Sequence, residues 1–95
     1  MTPGRAEEIA ADALLWLCAQ EALLPVFLAA TGASAADLRD GLQAGGDPAL
    51  GGAALDFILM RDETVIAASG ALGLAFDQLA LAQAVLSGAG QMHWT

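Results

Sequence analysis

One imidazole (His93), one thiol (Cys18) and three serines (Ser34, Ser69, Ser87) are the side chains from which nucleophilic or transition-metal chemistry would have to be built in this 95-residue chain. A hydrolytic triad needs a base beside its serine, and His93 is the single candidate. Ser34 already has a structural use, as the cap of a helix. A metal centre would have to combine His93 or Cys18 with Asp or Glu, and no recognisable ligand spacing occurs. The chain contains no lysine. It therefore has neither a Walker-type phosphate loop nor a residue for Schiff-base chemistry. Asp62-Glu63 has the composition of an acid–base pair, but acids collect at helix N-termini for dipole and capping reasons, and that accounts for them. Cys18 lies in an apolar run, where cysteine packs as a small hydrophobe and a single thiol forms no internal disulfide. The reading is no catalytic residue, no cofactor site, no metal site and no enzymatic activity.

Charge narrows the partners. Eleven acids against three arginines (Arg5, Arg39, Arg61) give a net charge of −8. Binding to nucleic acid is driven by basic side chains releasing counterions from phosphates, and this chain would instead be repelled. Anionic lipid headgroups would repel it in the same way. Residues 13–36 hold one charge, Glu21, over a length that would span a bilayer. Yet Gln20-Glu21 falls at the middle, where a carboxylate costs about 2.5–3.5 kcal/mol, and Pro25 follows. The opening MTPGRAEE places acids ahead of the apolar stretch, unlike a secretory leader. The expectation is a soluble, cytoplasmic protein that binds no nucleic acid and no membrane.

The elements that would position any site are helical. Ala and Leu supply 39 residues, whereas Val and Ile supply only three each. Thr2-Pro3 reads as an N-cap and first-turn proline. Ile9, Ala13, Trp16 and Leu17 then follow the spacing of one helical face. Pro25 fits near the start of a second helix that begins around Glu21 or Ala22 and ends at Gly32. Ser34 and Asp37 form a short capping box for a third. Ala44-Gly45-Gly46 is a turn. Asp47-Pro48 repeats the cap-and-proline signature, Asp62 is placed as the cap of a fifth helix ending near Gly70 or Gly73, and Leu79, Ala82 and Leu86 line a sixth. The expected core is Trp16, Leu17, Leu24, Phe27, Leu38, Phe57, Ile58 and Leu79.

Residues 13–32 also return 41 positions later, without a gap, as residues 54–73. Trp16 matches Phe57, Glu21 matches Asp62 and Gly32 matches Gly73. The fold expected is all-α: a small bundle of five or six short helices in a single domain, 1–95. It comprises two tandem three-helix repeats (6–44 and 47–87) packed on one another, with a tail at 88–95.

The pattern Asp12-Ala13-Leu14-x-Trp16-Leu17, Glu21-x-Leu23-Leu24-Pro25-x-Phe27-Leu28, Thr31-Gly32, Asp37-Leu38-Arg39 and closing His93-Trp94 resembles a small bacterial family of unknown function. Members are similar in length, so the likeness spans nearly the whole chain, and it is looser around Ala67-Ala68-Ser69. The resemblance implies an all-helical fold and brings no activity or site residue.

These observations point to a small acidic helical protein that acts as a protein–protein interaction module, as a homo-oligomer (a dimer being the simplest) or with a protein partner. Its apolar content, 57%, is high for one small core. Gly51 and Gly52 would admit a close helix, and Met92, His93 and Trp94 are apolar enough to dock. These five are the candidate interaction residues. The alternatives are a membrane-associated protein and a small-ligand carrier or enzyme.

Overall fold

A computed structural model describes residues 1–43 and 48–87 as six helices, with no strand among the described residues. They are α1 (Pro3–Cys18), α2 (Leu24–Thr31), α3 (Ala35–Gln43), α4 (Pro48–Leu59), α5 (Asp62–Leu72) and α6 (Phe76–Ser87). The all-α expectation holds.

Local chemistry sets most of the helix ends. The Arg5 N–H donates to Thr2 Oγ1 at 3.2 Å, and Pro3 occupies the first turn, where its missing N–H costs nothing. α1 closes with the Gln20 side-chain amide donating to the Trp16 carbonyl at 3.1 Å. α2 starts at Leu24, later than the sequence suggests, because residues 21–23 form a turn of their own. Pro25 still falls in the first turn. Gly32 ends α2 with φ 75°, and Gly73 ends α5 with φ 68°. Both are left-handed, and a side chain at either would be strained. Ser34 and Asp37 make the reciprocal capping box: each backbone N–H donates to the other's side chain at 3.0 Å.

One cap was misplaced. Asp62 is the first residue of α5, and the N-cap is Arg61, in extended conformation with no capping side-chain bond. Asp62 and Glu63 instead sit in the first turn, where their charge suits the positive end of the helix dipole. The Ala44-Gly45-Gly46 turn and the Asp47 cap lie outside the described residues.

α1 is the central element. Ala6, Ile9, Ala10, Ala13, Leu14 and Leu17 recur at helical spacing and are all buried. They pack against α4 and α6, with α5 behind. Two clusters result. Ile9, Ala13, Leu55, Ile58, Ala68, Leu79 and Ala82 form one, and Leu14, Leu17, Phe27, Leu38 and Ala54 form the other, with Trp16 packed against both. Phe27 meets Phe57 edge-on, with ring centroids 5.5 Å apart and planes at 75°. Five of the eight expected core residues are buried: Leu17, Phe27, Leu38, Ile58 and Leu79. Trp16, Leu24 and Phe57 are only half-buried.

Helix ends recur at the 41-residue spacing. Cys18 and Leu59 end α1 and α4, Thr31 and Leu72 end α2 and α5, and Ala35 and Phe76 begin α3 and α6. Burial follows: Ala13 and Ala54, Leu14 and Leu55, Leu17 and Ile58, and Leu38 and Leu79 are all buried. One matched pair meets in space. A Cβ on Gly51 would stand 3.0 Å from the Cβ of its counterpart Ala10. That approach is tighter than the 3.5–4.0 Å of ordinary carbon contacts, so only glycine at 51 lets α4 lie this close to α1.

Candidate interaction surface

The polar chemistry of the described residues is spent on structure. Asp37 is fully exposed, and the hydrogen bonds from the Ser34 backbone N–H and then the Ser34 hydroxyl hold its carboxyl below the usual range. Partial burial pushes the Cys18 thiol up, which makes it a poorer nucleophile. Cys18 is half-buried, not enclosed in the core as expected. Ser69 is buried, and its hydroxyl oxygen has no hydrogen-bond partner. No group of three or more His, Cys, Asp or Glu side chains gathers among the described residues. Two ion pairs among the described residues, Arg5–Glu8 at 3.2 Å and Arg61–Glu63 at 3.9 Å, are exposed and weak.

The surface is unusual in where charge is missing. No charged residue occurs from Ala22 to Ala36, or from Thr64 to Phe76. These stretches contain α2 and nearly all of α5. α2 buries only Phe27 fully; Pro25, Val26, Ala29 and Ala30 face outward. Their counterparts on α5, Ile66, Ala67, Gly70 and Ala71, face outward too. Val26 is 52% exposed and Ile66 56%. An outward helix face ordinarily carries Glu, Lys or Arg, so the lack of charge along α2, and along α5 beyond Asp62 and Glu63 of its first turn, is a departure.

Two hollows lie elsewhere. One, of about 320 Å³, is lined by Ala49, Gly52, Ala53 and Asp56 of α4 and by Gln83, Leu86 and Ser87 of α6. The Gln83 side-chain amide donates to Asp56 Oδ1 at 2.8 Å along its edge. The second, shallower and more apolar, lies among Cys18, Leu24, Ala35, Leu38, Arg39 and Gln43.

The five residues singled out from sequence fall in different places. Gly51 is buried, and the close helix it admits is α1 of the same chain, so it offers no surface to a partner. Sequence reasoning read its small size correctly and misjudged which helix would use it. Gly52 is half-buried, with open space where a Cβ would be, and it lines the α4–α6 hollow. Met92, His93 and Trp94 lie outside the described residues. The faces of α2 and α5 were not singled out from sequence. The absence of charge on every side of α2 was the available signal.

Among the described residues no single helix is long and apolar enough to cross a membrane. α5 and α6 together have the length and composition, but the chain bends by 99° between them. No curated protein and no solved structure matches the chain. A family model does match, over residues 3–89, and on that extent the chain belongs to the family described as protein of unknown function, DUF3572.

Proposed function

We propose that the chain is a non-enzymatic, cytoplasmic interaction module, and that the outer faces of α2 and α5 receive an apolar helix rimmed by basic residues on a protein partner. The observation that carries this reading is the pair of exposed faces bearing Val26 and Ile66, charge-free on α2 and on α5 beyond its acidic first turn. Apolar anchors on a helix are the usual means by which one helix recognises another. The remaining surface supplies the rest of the specificity. With a net charge of −8, it attracts a basic rim and opposes a second copy of itself.

The test uses the full chain and a synthetic amphipathic Leu/Lys helical peptide, titrated by calorimetry at low and moderate salt. Binding is expected, weakening as salt rises. Val26→Asp with Ile66→Asp is expected to abolish it, while the fold persists because both sites are exposed. The two aspartates add negative charge, so contact by charge alone would tighten in the variant. Unchanged or tighter binding by the variant overturns the proposal. Sedimentation at tens of micromolar should show a 9.6 kDa species. A dimer that the same two substitutions dissociate would make a second copy the occupant instead.

A further inference from the structure

The shallow hollow between the end of α1, the start of α2 and α3 is a second place on the molecule where a ligand fits. We propose that it binds an apolar carboxylate, a free acyl acid of medium chain length, with the head group on Arg39 and the chain along the hollow.

Three helix ends assemble the walls. Cys18 is the last residue of α1, Leu24 the first of α2 and Ala35 the first of α3. Leu38 and Arg39 continue the α3 wall, at the i+3 and i+4 spacing from Ala35 that keeps all three on one helix face. Leu38 is buried in the cluster around Leu14, Leu17 and Phe27, and Cys18 and Leu24 pack against the same cluster. The floor is therefore held in place by the core. At about 420 Å³ the space falls within the range of small-molecule sites, about 300–1,000 Å³.

Charge selects the occupant. Arg39 is exposed, and among the described residues its side chain makes no ion pair or hydrogen bond, whereas Arg5 pairs with Glu8 and Arg61 with Glu63. Its guanidinium offers a planar fork of N–H donors that matches a carboxylate. Among the described residues no acidic side chain lines the hollow to oppose such a head group. Repulsion from the net charge of −8 is screened beyond about 10 Å at 0.1 M salt, so the local cation decides. Cys18, Leu24, Ala35 and Leu38 supply uncharged, mostly hydrocarbon surface that an acyl chain gains by covering. Burial raises the Cys18 pKa, so the thiol stays neutral beside that chain.

Cys18 is also the reporter. The experiment follows its alkylation by iodoacetamide, an uncharged reagent, in the full chain at 0.1 M salt, with octanoate added below its micelle-forming concentration. Octanoate should slow the reaction several-fold and raise the melting temperature. Acetate, which has the charge without the chain, should do neither, and octanol, which has the chain without the charge, should protect only at several-fold higher concentration. Arg39→Gln, at an exposed position that leaves the fold intact, should raise the octanoate concentration for half-protection several-fold. Ile66→Asp, on α5, should leave it unchanged. No protection by octanoate overturns the proposal, as does equal protection by octanol or an unaltered response in Arg39→Gln. A melting temperature that falls with octanoate also overturns it, by showing a detergent action on the fold.

Discussion

Gly51 and Gly52 are neighbours on one helix, and they should respond in opposite directions to the same added methyl. Alanine favours helix over glycine by about 1 kcal/mol, so both substitutions start with that gain. At Gly52 nothing lies within 4 Å of the new carbon, and the gain should appear in full. At Gly51 the new carbon meets Ala10 Cβ at 3.0 Å and the Ala10 backbone at 3.6 and 3.7 Å. That is tighter than ordinary carbon contact, so Ala10 and the helix that carries it must give by a few tenths of an ångström. Overpacking of this kind costs about 1–3 kcal/mol. The net for Gly51→Ala therefore runs from neutral to about 2 kcal/mol destabilising, and the two variants should differ by about 1–3 kcal/mol. Urea denaturation resolves that difference, and for a domain of this size it corresponds to roughly 4–8 °C in Tm per kcal/mol. The cycle with Ala10→Gly sharpens the test. Removing the Ala10 methyl should cost less in the Gly51→Ala background than alone, because the two positions share one space. Equal stabilisation by Gly51→Ala and Gly52→Ala would refute the close α1–α4 approach.

Other outcomes follow from the same packing. Phe27→Ala, which removes a fully buried ring stacked edge-on with Phe57, should cost about 3–5 kcal/mol in urea denaturation. Ser69→Ala removes a buried hydroxyl without a partner and should stabilise the fold by about 1 kcal/mol, read in the same assay. The depressed pKa of Asp37 implies that its capping contribution is present above the unfolded carboxylate value, about 3.9, and is lost as pH falls through the lower folded value. Amide exchange at the start of α3 should therefore accelerate in acid, and Asp37→Asn should flatten that dependence. Iodoacetamide should alkylate Cys18 more slowly in the folded chain than in urea, because burial disfavours the thiolate.

The helices were legible because their ends are written in local chemistry. Thr2-Pro3, Gly32, Ser34 with Asp37, and Gly73 each act within a few residues of themselves, and each occupies a helix boundary. The interior was harder to read. Hydrophobicity singled out Trp16, Leu24 and Phe57, but burial depends on which helices come together, and those three are left half-covered. Ala6, Ala10 and Ala82 carry little apolar area, yet they are buried because small side chains permit close helix approach. The match of Ala10 to Gly51 at the 41-residue spacing was the sequence trace of that contact. α2 and α5 defeat periodicity for a different reason. Apolar residues on every side leave the exposed face of these helices unmarked: helical spacing picked out Phe27, which is buried, but gave no sign that Val26 and Ile66 would face outward.

The most direct test of the proposed role is a hydrogen-exchange footprint of the full chain with and without the Leu/Lys helical peptide. The account predicts added protection in residues 24–31 and 62–72, with α1 and α4 unchanged. Protection confined to the acidic start of α1, or to the α4–α6 hollow with α2 and α5 unaffected, would contradict it.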